Sequence, residues 1–260
     1  MKTNEATLAP MPPAPSVAGA YWPHPMGPPT LAPEALRKAQ ADTLAAPRLR
    51  YDPFSRLMFL TVNVLYGRRR SLEKFLVLEQ LARIPYQAWE RLAQRAIAHS
   101  QGRFTLARRI MERVVEARAQ QDNEQFHLLI LEELLAQQRA TPLSRFRYRI
   151  LPRIIAGPWH AFTWLLHLVR PTWSYRLNAN FEDHAEHEYM AYVAEHPILD
   201  RQPVHSAIAA DYGRFASLGD LLRQIGHDER VHKLESLAGH DTARRNQAPT
   251  GLDSSARRAA

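Results

Sequence analysis

Asp122-Asn123-Glu124-Gln125-Phe126-His127-Leu128 and Asp228-Glu229-Arg230-Val231-His232 share one unit, a glutamate followed three residues later by a histidine. On a helix this spacing sets a carboxylate and an imidazole on one face, a single turn apart. Both units lie on or beside apolar stripes: Val115, Ala119, Leu128, Ile130, Leu131 and Leu134 around the first, Leu218, Leu221, Leu222, Ile225 and Leu237 around the second. Two such units on two helices, completed by a lone glutamate on each of two others, form a carboxylate-bridged di-iron centre inside a helical bundle. The fold therefore turns on whether two further inward-facing acids exist.

Glu79 is one. Phe75, Leu78, Ala82 and Tyr86 surround it at helical spacing, so it faces inward. The other belongs to Phe181-Glu182-Asp183-His184-Ala185-Glu186-His187-Glu188-Tyr189. Glu182 shares a face with Ala185, Glu186 and Tyr189, and periodicity leaves Glu182 and Glu186 as rivals. His184 and His187 read as solvated or helix-surface histidines.

Composition agrees with helices. The chain has 260 residues, 45% of them hydrophobic, with only 10 glycines, and it suits one folded domain. Helices are expected at about 53–67, 71–98, 104–138, 148–170, 173–196 and 205–240, the last broken near Gly213 to Leu218. The fold class is all-α: a ferritin-like four-helix bundle with a di-iron centre, plus two additional helices forming a membrane-interface surface. Prolines crowd the start, so 1–47 reads as a Pro-rich flexible arm, 48–240 as the di-iron bundle and 241–260 as a disordered tail. The start lacks the pattern of a secretory signal or a mitochondrial presequence, and a bacterial cytoplasmic start is the simpler expectation. Zero cysteines exclude disulfides, thiolate metal sites and thiol chemistry, so ligation falls to His, Asp and Glu.

The net charge of +8, from 34 Lys+Arg against 26 Asp+Glu, fits an anionic partner. Basic residues are scattered over several helices with no nucleic-acid reading motif, so no nucleic acid is expected. A lipid surface fits better. Phe54 to Leu65 and Ile150 to Trp173 are apolar, and Trp159, Trp164 and Trp173 alternate with Arg153, His160, His167 and Arg170. That segment is too polar, and too interrupted by Pro158, to span a bilayer, but it suits a helix lying in the interface. Arg68, Arg69 and Arg70 stand ready for anionic headgroups. The competing reading packs these faces into the core or a dimer interface.

Leu78-Glu79 with Ala82 and Pro85, Asp122 through Leu128, Phe181-Glu182 with Ala185, His187 and Tyr189, and Asp228 through His232 resemble, in order and separation, the four motifs of the alternative oxidase family. Ala207-Ile208-Ala209-Ala210-Asp211-Tyr212 resembles the stretch before that family's last metal-binding helix. The likeness runs over about 50–240. It implies a non-haem di-iron, interfacial and monotopic membrane enzyme that oxidises ubiquinol and reduces dioxygen to water without pumping protons. It implies two iron ions held by Glu79, Glu124, His127, Glu182, Glu229 and His232, and so favours Glu182 over Glu186 and makes Glu186→Ala a change expected to be mild. It also implies Tyr189 as a one-electron relay, Asp228 beside the metals, and Lys74, Leu78 and Ala185 in the quinol pocket. The expected place is the cytoplasmic side of a bacterial inner membrane, as a homodimer.

The chain departs from the family outside the metal ligands. Lys74 stands for an arginine, Gln80 for a threonine, Tyr175 for a histidine, His184 for an acid, Glu188 for a smaller hydroxyl residue, Gly213 for a tryptophan and Gly226 for an arginine. Lysine gives one charged hydrogen bond where arginine gives a planar fork. A di-iron oxygenase or hydroxylase acting on another apolar substrate is the alternative, and product stoichiometry separates the two. A non-catalytic basic helical protein is the third class, and it predicts no bound iron.

Overall fold

A computed structural model of the chain describes residues 29–138 and 143–247. In it lie α1 (Pro33–Ala45), α2 (Pro53–Tyr66), α3 (Leu72–Ala98), α4 (Phe104–Gln138), α5 (Leu151–Val169), α6 (Pro171–Glu195), α7 (Ala207–Tyr212) and α8 (Leu218–Gln247). No strand occurs among the described residues. Local chemistry sets several boundaries. Asp52 caps α2 by accepting from the Phe54 and Ser55 amides, and Pro53 occupies the first turn, where its missing N–H is not needed. Gly67 ends α2 at φ 93°, a region costly for residues with a Cβ. Ser71 caps α3 and Ser206 caps α7.

The longest contacts pair α3 with α4 and α6 with α8. These four helices enclose a common core in which Phe75, Ile130, Leu131, Tyr189, Leu221, Leu222 and Ile225 are fully buried. The expected all-α, ferritin-like bundle is what the chain forms. α2 and α5 lie outside it and leave apolar stripes in solvent: Phe54, Leu57, Leu60 and Val64 on one, Ile154, Phe162, Leu165 and Leu168 on the other. The stripes meet where the Phe54 and Phe162 rings approach to 5.0 Å. No helix among the described residues is long and apolar enough to cross a membrane.

Two boundaries need correction. Residues 33–45, expected in a flexible arm, form α1, which lies on α6 and α8. Its apolar content is thin, mainly Leu36 and Ala39, and polar side chains do much of the anchoring: Gln40 Nε2 donates to the Met190 carbonyl at 2.8 Å, and Arg223 Nε donates to Gln40 Oε1 at 2.8 Å. Prolines that suggest an unpacked chain here include a helix-starting Pro33. At the other end α8 continues to Gln247, past the expected tail boundary, with Ala243 buried. The remainder of both expected tails, 1–28 and 248–260, lies outside the described residues.

Candidate metal centre

The four bundle helices each bring an acid to the same place. Donor atoms of Glu79, Glu124, His127 and Glu229 lie within 4.8 Å of one another, and so do those of Glu124, Glu182, Glu229 and His232. α3 supplies Glu79, α4 Glu124 and His127, α6 Glu182, and α8 Glu229 and His232. The sets share Glu124 and Glu229, and each adds one glutamate and one histidine of its own. All six side chains are buried, none more than 2% exposed.

Such a cluster is costly unless something cationic joins it. Glu79 Oε2, Glu124 Oε2, Glu182 Oε2, both Glu229 carboxylate oxygens and His127 Nδ1 are buried without a hydrogen-bond partner among the described residues. His127 Nδ1 stands 3.1 Å from Glu229 Oε1 and 3.6 Å from Glu79 Oε2, while His232 Nδ1 is 2.9 Å from Glu124 Oε1. Burial, reinforced by Glu229, pushes the Glu124 and Glu182 carboxyls well above the usual range. Burial acts on Glu229 in the same sense, but the imidazoles of His127 and His232 beside it override that and hold the carboxyl down at about 2. Burial also opposes charge on His127, yet Asp228, Glu229 and Glu79 around it raise its pKa well above the ordinary value. Partnerless oxygens on four carboxylates with two imidazoles are a hard-donor set that fits divalent first-row metal, with Glu124 and Glu229 common to both groups of donors.

A polar shell orients the donors. His127 Nε2, turned away from the other donors, lies 3.4 Å from Asp228 Oδ2. Asp228 in turn accepts from Asn123 Nδ2 at 3.1 Å, Gln224 Nε2 at 2.7 Å and the Tyr212 hydroxyl. Carboxylates behind a ligating imidazole fix its ring and tautomer. Tyr189, fully buried, donates its hydroxyl to Glu79. Tyr86, a residue the sequence reading treats as core packing, donates to Glu182 Oε1 at 2.6 Å, and Asn178 Nδ2 contacts both at 2.8 Å.

The rivalry between Glu182 and Glu186 ends in geometry. Glu186, one turn further along α6, is buried against α1 and α8, where Arg230 Nε donates at 2.8 Å, Thr43 Oγ1 at 2.6 Å, and Lys233 Nζ also donates. Asp183, Glu186 and His187 could in principle hold a metal, but Lys233 already reaches both acids. The surface reading of the two neighbouring histidines needs correction as well. His187 is buried with Nδ1 2.7 Å from the Asp183 carbonyl, and His184 stacks on Phe59 at 4.0 Å with Arg48 Nη1 3.0 Å away. Ala46 reaches His187 from the end of the expected arm, and Arg48 and Phe59 cover His184 from inside the expected bundle.

Among the residues of the expected quinol pocket, Lys74 is buried at 2% exposure and its Nζ donates to Asn63 Oδ1 at 2.5 Å. Burial lowers its pKa. Leu78 packs against the main core, and Ala185 is half-buried on α6 beside the ligand turn. Gly226 explains one departure from the family pattern: a Cβ there would meet Tyr189 Cβ at 3.1 Å and Met190 Cε at 3.2 Å, so α8 and α6 approach too closely for arginine.

No curated protein matches this chain as a relative. The sequence profile described as alternative oxidase matches residues 38–238, most of the chain and all four ligand-bearing helices. Members of that family are membrane-associated non-haem di-iron quinol oxidases. With this profile and the paired donor sets, the chain is an oxidoreductase that belongs to the alternative oxidase family.

Proposed function

We propose that this chain is a ubiquinol:oxygen oxidoreductase that reduces dioxygen to water and pumps no protons. Two iron ions would be held by Glu79, Glu124, His127, Glu182, Glu229 and His232, with Glu124 and Glu229 common to both donor sets. The observation that carries the proposal is that sharing: two four-residue donor sets with two carboxylates in common. Bound iron supplies the redox chemistry that activates dioxygen. The chain supplies the rest. Asp228 fixes the His127 ring, Tyr189 holds Glu79 and acts as a one-electron relay, and burial of the donors keeps bulk water from the centre.

The quinol ring is assigned to the α3 and α6 side of the centre, near Lys74, Leu78 and Ala185. Lys74 and Asn63 offer a paired amine and amide for a quinone oxygen, in place of an arginine fork. The apolar stripes of α2 and α5, with exposed Arg68, Arg69, Arg153 and Arg170 beside them, support an interfacial, monotopic position from which a long-tailed quinol enters. The assigned place is the cytoplasmic face of a bacterial inner membrane, and the assigned assembly is a homodimer.

Oxygen uptake by membranes carrying the chain, driven by a short-chain ubiquinol in the presence of cyanide, tests this together with iron per chain on the purified protein. Cyanide blocks haem oxidases, so the residual rate isolates a non-haem route. Two irons with cyanide-resistant uptake support the proposal. Two irons without uptake move the substrate to that of a di-iron oxygenase, and no iron overturns both.

A further inference from the structure

α3 and α6 repeat one spacing. Tyr86 follows Glu79 on α3, and Tyr189 follows Glu182 on α6, by the same two helical turns. The bonds cross between the helices: Tyr189 donates to Glu79, and Tyr86 donates to Glu182. Both phenols are buried, so each unshared carboxylate of the centre is capped by a tyrosine from the opposite helix. Their surroundings differ. Tyr189 packs on Phe75 at 4.3 Å within the closed core. Tyr86 meets Trp89 edge-on at 5.2 Å, and Trp89 meets Tyr175 at 4.7 Å. Trp89 and Tyr175 line a cavity of about 290 Å³ that also takes in His167 and Ser236. Ser236 Oγ lies 3.1 Å from Asn178 Nδ2, the amide that bonds Tyr86 and Glu182.

Resting on the quinol-oxidase reading, we propose that Tyr86 is a second redox tyrosine, joined by Trp89 and Tyr175 to a cavity that admits a small phenolic or quinol reductant. Electrons balance. Dioxygen takes four electrons and four protons to become two waters. Bound iron would supply two of these electrons, Tyr189 gives one and Tyr86 gives one. As Tyr86 is oxidised, its O–H bond breaks and the proton shifts along the existing hydrogen bond to Glu182 Oε1. Two quinols, each oxidised to a quinone, return four electrons and four protons and re-form both phenols. Where quinol is short at the Lys74 side, an electron from the reductant in the cavity reaches the Tyr86 radical through Tyr175 and Trp89, the proton returns from Glu182 Oε1 to the phenol, and the oxidised reductant releases its own proton within the cavity. Indole and phenol are oxidised at similar potentials, so the chain of rings carries the hole outward without a large step.

The test uses full-length protein loaded with ferrous iron, mixed with dioxygen without quinol, frozen and examined by electron paramagnetic resonance. In Tyr189→Phe a tyrosyl signal is expected, sharpened by ring-deuterated tyrosine and lost when Tyr86→Phe is added. Trp89→Phe should keep that signal but slow its decay several-fold on addition of ascorbate. Iron per chain is measured on every sample. If Tyr189→Phe carries two irons, consumes dioxygen and shows no tyrosyl radical, the proposal fails while the quinol-oxidase reading stands. If Tyr86→Phe loses iron and Tyr189→Phe is radical-free, Tyr86 is a prop for Glu182 only, and the redox role is overturned. Wild-type protein that binds no iron fails both readings, and Tyr189→Phe decides the matter even where Tyr86→Phe does not fold.

Discussion

α6 carries acids on two faces, and they live under opposite rules. On the inner face Glu182 joins Glu124, Glu229 and Glu79 with no lysine or arginine in contact, and buried carboxylate oxygens lack partners. Away from that cluster Asp183, Glu186 and Glu188 are also buried, but Lys233, Arg230, Arg48 and Arg70 answer them. Asp183, Glu186 and Glu188 are held below the ordinary carboxylate range, because hydrogen bonds and nearby cations outweigh the burial that would raise them. Acid density alone therefore does not mark a metal site. The mark is a set of acids from which protein cations are withheld, leaving the countercharge to come from outside.

The comparison breaks most visibly at a shared ligand. Glu124→Gln keeps the volume and an acceptor for His232 but removes a carboxylate common to both donor sets, so both irons should be lost and turnover abolished. The same change should raise the thermal midpoint of the metal-free protein, since it removes one of four crowded acids. Iron analysis and calorimetry of one preparation check both expectations. Tyr189→Phe, on the same inner face, should retain two irons and lose turnover, and a fully active variant would remove the relay role. Glu186→Ala sharpens the contrast from the other side. Iron should stay at the wild-type level while Arg230 is left without its acid and Lys233 keeps only Asp183, at a cost of about 3 kcal/mol in a denaturant titration. The mild effect expected from sequence thus holds for metal content and not for stability.

The smallest effect is a pH dependence. Burial, chiefly, holds His184 on the outer face of α6 down at about 4, and burial does the same for His167 on α5. Unfolded imidazoles titrate near pH 6.5, so between about 6.5 and 4 the unfolded chain binds more protons than the folded one. Stability falls as pH falls through that window, by on the order of 1 kcal/mol per histidine. Melting curves at pH 7 and pH 5 should show a shallower drop for His184→Gln than for the wild type.

The bundle was legible because its signals are local. Apolar periodicity marks α3, α4, α6 and α8, and the glycine and loop chemistry near Gly213 gives the break between α7 and α8. Glu79 and the two Glu-x-x-His units follow from the same periodicity. What separates Glu182 from Glu186 does not, because the two sit one turn apart and their partners are distant: Arg230 and Lys233 on α8, and Thr43 on α1. α1 itself carries few apolar residues and sits in a proline-rich context, so the helix could not be read locally, and the cover that Ala46, Arg48 and Phe59 give His187 and His184 is likewise set by residues far away in the chain. Tyr86 did leave a signal. Its spacing from Glu79 matches that of Tyr189 from Glu182, and only the crossing of α3 and α6 turns that match into contacts.

The central claim is a paired centre with two shared carboxylates, and titration of ferrous iron into metal-free protein under anaerobic conditions tests it most directly. The account predicts saturation at two irons per chain, with Glu124→Gln and Glu229→Gln each losing both. Saturation at a single iron, or a Glu124→Gln protein that still binds one tightly, would contradict it.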